Sequence, residues 1–383
     1  MANKLSITPF HVMDILARCK QMEAQGRDVI HMEIGEPDFE TPTPITQAGM
    51  QALQKNLTHY TSAQGLMELR NAVSRYYLDR FKVNVLSDDI IITPGASGAL
   101  QLVLTYLLQN NQSLMISDPT YPCNRNVANL VGGEVIAVPV SENSQFQLNL
   151  ELVEQNWRDG ISAVLVASPS NPTGTICAKR NLIEIADFLA TKDSYLIVDE
   201  IYQGLTYGVE NETVAGVRDN IFVLNSFSKY FGMTGWRVGW LVAPGDIITE
   251  LDAIAQNTYL ATSTIAQHAA IAVFSEDTKN ILEQRRNIFE KRRDILCHAL
   301  LELDIDIPIV PQGAFYVYAD ISNYSKDSFS FCRELLEKQA LAITPGCDFG
   351  EYRAKRYVRF AYTIDESRIM QGMERLRNFV NNK

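Results

Sequence analysis

Short apolar runs, each closed by small or turn-forming residues, fill the stretch from Val29 to Val242. Val29 to Ile34, Asp89 to Thr93, Ser113 to Ser117, Val135 to Val140, Ala163 to Ala167, Tyr195 to Asp199, Ile221 to Leu224 and Val238 to Val242 have the length and composition of strands. Residues 11–25, 66–80, 100–108 and 178–190 carry the apolar spacing of helices. This alternation predicts an α/β domain with a mostly parallel sheet. After residue 245 the pattern turns helical, with two or three helices over 246–302, the last long and charged. Ile307 to Val310, Ala314 to Asp320, Leu341 to Thr344 and Tyr357 to Ala361 then read as strands, and Ser328 to Gln339 and Asp365 to Val380 as helices. That tail predicts a smaller α+β domain joined through the long helix. At 383 residues the chain exceeds one ordinary core, which agrees with two domains.

The polar segment between Leu224 and Val238 stands out. Lys229 sits there among Ser226, Ser228, Tyr230, Gly232 and Gly235, with Arg237 eight residues further on. A lysine so placed is suited to forming a Schiff base with a carbonyl. A free lysine has a pKa of about 10.4, so it must be depressed or already condensed to react near neutral pH. Two hydroxyls and a planar guanidinium are the donors a phosphate requires. A carbonyl compound carrying a phosphate describes pyridoxal 5'-phosphate.

Other strand ends supply matching chemistry. Gly95, Ala96 and Ser97 lie between a strand and an apolar helix, either as a tight turn or as an anion cradle at a helix start. The G-K-[ST] of a nucleotide-binding loop is absent. Tyr121 follows a strand end, where it either packs in the core or stacks on a planar ligand. Asn171 lies in the turn sequence Asn171-Pro172-Thr173-Gly174. Asp199 closes an apolar strand and needs a cation; no histidine lies near it in sequence, which disfavours a metal and leaves a protonated ring nitrogen. Tyr202 stands three residues on, able to donate to a phenolic oxygen. Asn171, Asp199 and Lys229 follow one another by 28 and 30 residues, one strand–helix unit apart, and form a row along one sheet edge. Arg359 lies inside the apolar strand Tyr357 to Ala361, where it needs an anion, either a structural carboxylate or a ligand. Gly35 ends a strand, as a tight turn or as a close approach to a ligand. Tyr316 faces the site or packs, and Cys123 carries no assigned role.

Composition narrows the classes. The net charge is −11 and the pI about 5.1, which argues against nucleic acid as a partner. The basic cluster Arg285-Arg286 and Lys291-Arg292-Arg293 is expected to be a solvated helix face. No apolar run approaches the roughly 18 residues that span a membrane. Met1 to Phe10 lacks a basic-then-apolar leader pattern, so a cytoplasmic protein is expected. Six scattered cysteines predict reduced thiols, with neither a disulfide framework nor a zinc site indicated.

The run S-F-S-K-Y-F-G-M-T-G-W-R-V-G-W from Ser226 resembles the lysine signature of the class I/II aminotransferases, the fold-type I pyridoxal-phosphate enzymes. I-G-E-P-D-F from Ile34, Y-T-S-A-Q-G from Tyr60, S-P-S-N-P-T-G from Ser168, V-D-E-I-Y from Val198 and V-R-F from Val358 extend the resemblance in order along nearly the whole chain. It implies a seven-stranded, mostly parallel sheet in a large domain over 45–285, and a small discontinuous domain over 1–44 and 286–383. By the same resemblance Asn171 binds the cofactor's phenolic oxygen, Tyr121 stacks on its ring, and Gly95, Ala96, Ser97, Ser226, Ser228 and Arg237 hold its phosphate. Arg359 clamps the substrate's α-carboxylate, with Gly35 against it. Tyr60 reaches the phosphate of a neighbouring subunit, which makes a homodimer with shared sites. The implied activity is transfer of an amino group from an amino acid to a 2-oxo acid (EC 2.6.1.-). A carbon–sulfur lyase or synthase on the same fold is the alternative, and a non-enzymatic regulator a remote third. Aspartate-specific members often carry lysine where Ser97 stands, so a neutral or aromatic substrate is expected.

Overall fold

The computed structural model describes Ile7 and residues 11–110 and 112–382. In chain order the strands are β1 (Ile30–His31), β2 (Ile90–Thr93), β3 (Ser113–Asp118), β4 (Glu134–Pro139), β5 (Ile161–Ala167), β6 (Tyr195–Asp199), β7 (Ile221–Ser226), β8 (Gly239–Val242), β9 (Tyr316–Asp320), β10 (Leu341–Ala342), β11 (Thr344–Pro345) and β12 (Tyr357–Ala361). The helices are α1 (His11–Ala24), α2 (Thr43–Gln54), α3 (Met67–Phe81), α4 (Gly95–Leu107), α5 (Pro122–Leu130), α6 (Leu150–Gln155), α7 (Lys179–Ala190), α8 (Ile248–Thr258), α9 (Thr264–Ile271), α10 (Glu276–Leu301), α11 (Ser328–Gln339) and α12 (Glu366–Val380).

Seven strands form the main sheet in the order β2-β8-β7-β6-β5-β3-β4. All neighbours are parallel except β8, which runs antiparallel to both β7 and β2. Alternate residues enter two different apolar layers. Leu196 and Val198 pack on the side that holds α7, while Ile197 joins Leu100, Val103 and Leu104 of α4 on the other. Burial on both faces explains why these strands read as near-continuous apolar runs. With β5, β6 and β7 parallel, their carboxyl ends share one edge and bring Asn171, Asp199 and Lys229 together there.

A second sheet, β11-β12-β9, is antiparallel and sets Arg359 between Thr344 and Tyr318. β1 adds to β10 in parallel, pairing Ile30 with Leu341 and His31 with Ala342. The segment ending at Gly35 is thereby tied to the C-terminal strands.

Several expectations need correction. The segment from Val29 to Ile34 is paired only at Ile30 and His31, because its later carbonyls serve side chains and loops. Leu341 to Thr344 divides between two sheets. Ile307 to Val310 is not a strand among the described residues; its neighbour Asp306 makes only an isolated bridge to Asp320. Helix α4 starts at Gly95 rather than at residue 100, so Gly95, Ala96 and Ser97 are its first turn, the helix start of the second alternative rather than a separate tight turn. The basic cluster on α10 is not wholly solvated. Arg292 is buried and forms two 2.8 Å hydrogen bonds to Asp38, with its guanidinium over the Phe39 ring. All six cysteines are free.

Candidate active site

The carboxyl edge of the main sheet, the segment Glu33 to Glu36, helix α1 and the second sheet enclose a cavity of about 640 Å³. Lys229 follows β7 and projects into it. Its Nζ donates to the Gly35 carbonyl at 2.7 Å and lies 5.8 Å from the Phe315 ring centroid. Burial lowers its pKa to about 8; nearby Glu36 opposes this, while Arg359 and Arg237 add to it. The sequence demand for a depressed lysine is met by desolvation.

The turn between β7 and β8 builds a polar end to the cavity. Ser226 Oγ donates to Ser228 Oγ at 2.9 Å, and Arg237 Nη1 donates to Ser228 Oγ at 3.4 Å. Ala96 and Ser97 of the first turn of α4 line the same cavity. Pro94, the cap residue, supplies no side-chain acceptor, so the N–H groups of that turn are left for an anion. Gly95 lies behind the lining with φ +71°, and a Cβ there would meet Arg237 Nη2 at 2.6 Å. The backbone approaches the guanidinium only because no side chain intervenes.

Asp199 ends β6 with one backbone partner, the Ile201 N–H, at 3.0 Å to Oδ1. Burial raises its pKa to about 6, a state that a neighbouring cation would reverse. Tyr202 and Tyr316 are buried with their hydroxyls 2.9 Å apart. Tyr121 immediately precedes α5, and burial lifts its phenol, with the neighbouring Cys123 adding to the rise.

Arg359 is only 5% exposed. Its Nη1 donates to Asn171 Oδ1 at 2.8 Å, and its Nη2 to Thr344 Oγ1 at 3.2 Å and to the Glu33 carbonyl. The Tyr316 ring lies 4.3 Å and the Phe349 ring 4.8 Å from its Cζ. Its Nε is buried without a partner, and no carboxylate among the described residues forms a salt bridge with it. A structural ion pair is therefore not what holds this arginine. Gly35 is forced by packing: a Cβ would stand 1.7 Å from Tyr316 Oη. Gly35→Ala is expected to destabilise the protein by about 1–3 kcal/mol, read as a lowered thermal midpoint.

The cavity thus gathers Lys229, Asp199, Tyr202, Asn171, Tyr121, Ser226, Ser228, Arg237, Ala96, Ser97, Arg359 and Gly35. It does not include Tyr60, which is 85% exposed in a separate shallow cleft with Leu57 and Met67. It also includes residues the motifs did not mark: Val12, Met13 and Leu16 of α1, with Leu100, Val127 and Phe349. Helix α1 is held over the cavity by Asp348, whose carboxylate accepts the His11 and Val12 N–H groups at 2.9 Å each. Only the apolar face of α1 hinted at this from sequence.

Pyridoxal 5'-phosphate fits these residues. The depressed lysine, the under-partnered buried carboxylate and the uncapped helix start beside an arginine each match one of its functional groups.

Comparisons with known proteins agree. The family described as aminotransferase class I and II matches residues 27–376. The (5-formylfuran-3-yl)methyl phosphate transaminase of Methanocaldococcus jannaschii is 33% identical, over 98% of each chain. The valine–pyruvate aminotransferase of Mycobacterium tuberculosis is 32% identical over 99% of this chain and 98% of its own. Among solved structures, an aminotransferase from Mycobacterium tuberculosis superimposes with a TM-score of 0.96 at 32% identity, covering 100% of this chain and 99% of its own. The chain belongs to the class I and II aminotransferases and has their fold-type I architecture. It is a pyridoxal-phosphate-dependent enzyme that exchanges amino groups between amino acids and oxo acids (EC 2.6.1.-). These relatives do not favour the lyase alternative. No helix among the described residues is long and apolar enough to cross a membrane.

Proposed function

We propose that this enzyme takes the amino group from a neutral apolar or aromatic L-amino acid, and that the residues of the cavity divide the work as follows. Arg359 receives the substrate α-carboxylate. The buried, unpartnered Nε is the observation that carries this assignment, since it leaves a donor beside the Nη groups with no protein acceptor. Asn171 and Thr344 fix the guanidinium from the other side. Ser226, Ser228, Arg237, Ala96 and Ser97, with Gly95 behind them, hold the cofactor phosphate. Asp199 holds the ring nitrogen protonated, Tyr121 stacks on the ring, and Asn171 and Tyr202 serve its phenolic oxygen. The cofactor supplies a reactive carbonyl and an electron-accepting ring. Lys229 carries the proton from the substrate Cα, as base and then as acid; a pKa near 8 suits both roles at neutral pH.

Substrate choice rests on the wall. Val12, Met13, Leu16, Leu100, Val127 and Phe349 line the cavity with Arg359; Asp348 and Glu36 add carboxylates, and the other lining cations, Lys229 and Arg237, are assigned to the cofactor. A distal carboxylate on the substrate would be desolvated without a partner in this chain. A relative named for valine and one named for aromatic amino acids are consistent with this preference, though aspartate aminotransferases also stand among the relatives. Steady-state kcat/KM for alanine, methionine and phenylalanine is expected to exceed that for aspartate by about tenfold or more. Turnover strongly favouring aspartate would overturn the preference. Arg359→Lys is expected to lower kcat/KM by roughly 30- to 150-fold for every amino acid, since a point charge cannot replace the planar fork.

The proposal includes a cytoplasmic homodimer. Tyr60, with exposed Leu57 and Met67 around it, is available to a second copy and absent from its own chain's cavity.

A further inference from the structure

Behind Arg359 lies a pair, half-buried His31 and buried Glu33, that the reaction does not use directly. Glu33 is 0% exposed. Its main chain faces the active site, where its carbonyl accepts from Arg359 Nη2 and from Thr344 Oγ1. Its side chain faces away, and Oε1 lies 2.8 Å from His31 Nδ1. The other ring nitrogen, His31 Nε2, lies 3.1 Å from Glu23 Oε1 on α1. An imidazole with a carboxylate at each nitrogen donates to both only as the imidazolium. Three further bonds lock the intervening chain: Met32 N to the Ala342 carbonyl, Ala361 N to the Met32 carbonyl, and Thr363 Oγ1 to the Ile34 carbonyl.

We infer that the His31–Glu33 pair is a positioning device that holds the Glu33 carbonyl against Arg359 and so sets the affinity for the substrate carboxylate. This rests on Arg359 being the carboxylate site. A protonated His31 neutralises a carboxylate that has no other cation in contact. Deprotonation of His31 removes that positive charge from beside a fully buried carboxyl group whose second oxygen, Oε2, already has no partner. The strain is relieved by moving the segment that carries the Glu33 carbonyl. The link to the site is one residue long.

The groups acting on His31 are few. Glu33 shares its segment, and Glu23 reaches it from α1. Cys19, also on α1, is a neutral thiol: burial, with Glu33 and Glu23 nearby, pushes its pKa up to about 12. β10 presents Leu341 and Ala342. Arg368 and Arg375 of α12 are engaged with Asp28 instead. The hydrogen bond that His31 donates to Glu33 raises its pKa to about 9, against the opposing pull of burial. The ionic part of the interaction is therefore fully present below about pH 6.5 and is lost as pH rises through about 9. Cys19, His31 and Glu33 also place three possible metal-ligand atoms within 4.8 Å of one another, but His31, as the imidazolium, has no lone pair to offer a metal.

The test uses the cofactor-loaded enzyme and a non-reacting carboxylic acid, 3-phenylpropionate, which has no amine to titrate near pH 9. Its Kd is measured from pH 6 to pH 10, beside the KM and kcat for a 2-oxo acid. The wild type is expected to bind about tenfold more weakly at pH 10 than at pH 7. His31→Gln, which keeps a donor to Glu33 but carries no charge, is expected to bind weakly at all pH values, with the step near 9 gone and kcat within about twofold. Glu33→Gln should likewise abolish the step. A flat wild-type profile overturns the proposal even if the variants fail to fold, and so does an unchanged profile in His31→Gln. So does stoichiometric zinc in the purified enzyme. Arg359→Lys serves as the reference: no loss of 3-phenylpropionate binding there refutes the site assignment, whereas a loss there with none in His31→Gln refutes only the positioning role.

Discussion

Lys229→Ala is expected to lower transamination by about four orders of magnitude or more. The loss has two sources. A positioned acid–base group is commonly worth 10²- to 10⁴-fold, and no other amine among the described residues lines the cavity. The covalent anchor of the cofactor is lost with it. The serines, Arg237 and the first turn of α4 remain, so the variant should still bind the cofactor by its phosphate. Single-turnover rates with added cofactor check this, and a small primary amine should restore part of the rate by carrying the proton. Activity within tenfold of wild type would remove Lys229 from the chemistry.

Asp199→Ala is expected to cost about 10²- to 10⁴-fold in kcat even at saturating cofactor. Asp199 is the charged group aimed at the cavity with only the Ile201 N–H for company. On the proposed assignment, removing it leaves the ring nitrogen without the carboxylate that would keep it protonated. Cofactor affinity should fall too, and titrating activity against added cofactor separates the two losses. The pH dependence has a definite sign. In the cofactor-free protein burial holds Asp199 at about 6, so the charge is present above that value and lost below it. Cofactor binding to the free protein should weaken as pH falls through about 6.

The central strands were legible because their apolar runs are short and bounded by turn residues, and candidate site residues stood out where a charge interrupts or ends such a run. Asp199 and Arg359 are the clearest cases: charges at apolar positions demand anions or cations, and the structure supplies no protein partner for the Arg359 Nε. Helices α2 and α5 were not expected from the sequence; each carries a proline in its first turn, Pro44 and Pro122, where a missing N–H costs nothing. At Gly95 the expected helix began five residues late, because the small residues that open α4 carry no apolar periodicity. The cavity wall was not legible. Val12, Leu16, Leu100 and Phe349 are ordinary apolar residues in separate elements, and only the packing of α1 over the sheet edge, through Asp348, brings them to one place.

One measurement tests the central claim most directly: the cofactor-loaded enzyme mixed with a single neutral amino acid and no oxo acid, with the visible spectrum and the products followed together. The account predicts loss of the cofactor's visible band, formation of pyridoxamine 5'-phosphate and release of one equivalent of the matching 2-oxo acid per site, with phenylalanine, methionine or alanine outpacing aspartate. A band that persists while ammonia accumulates would contradict it.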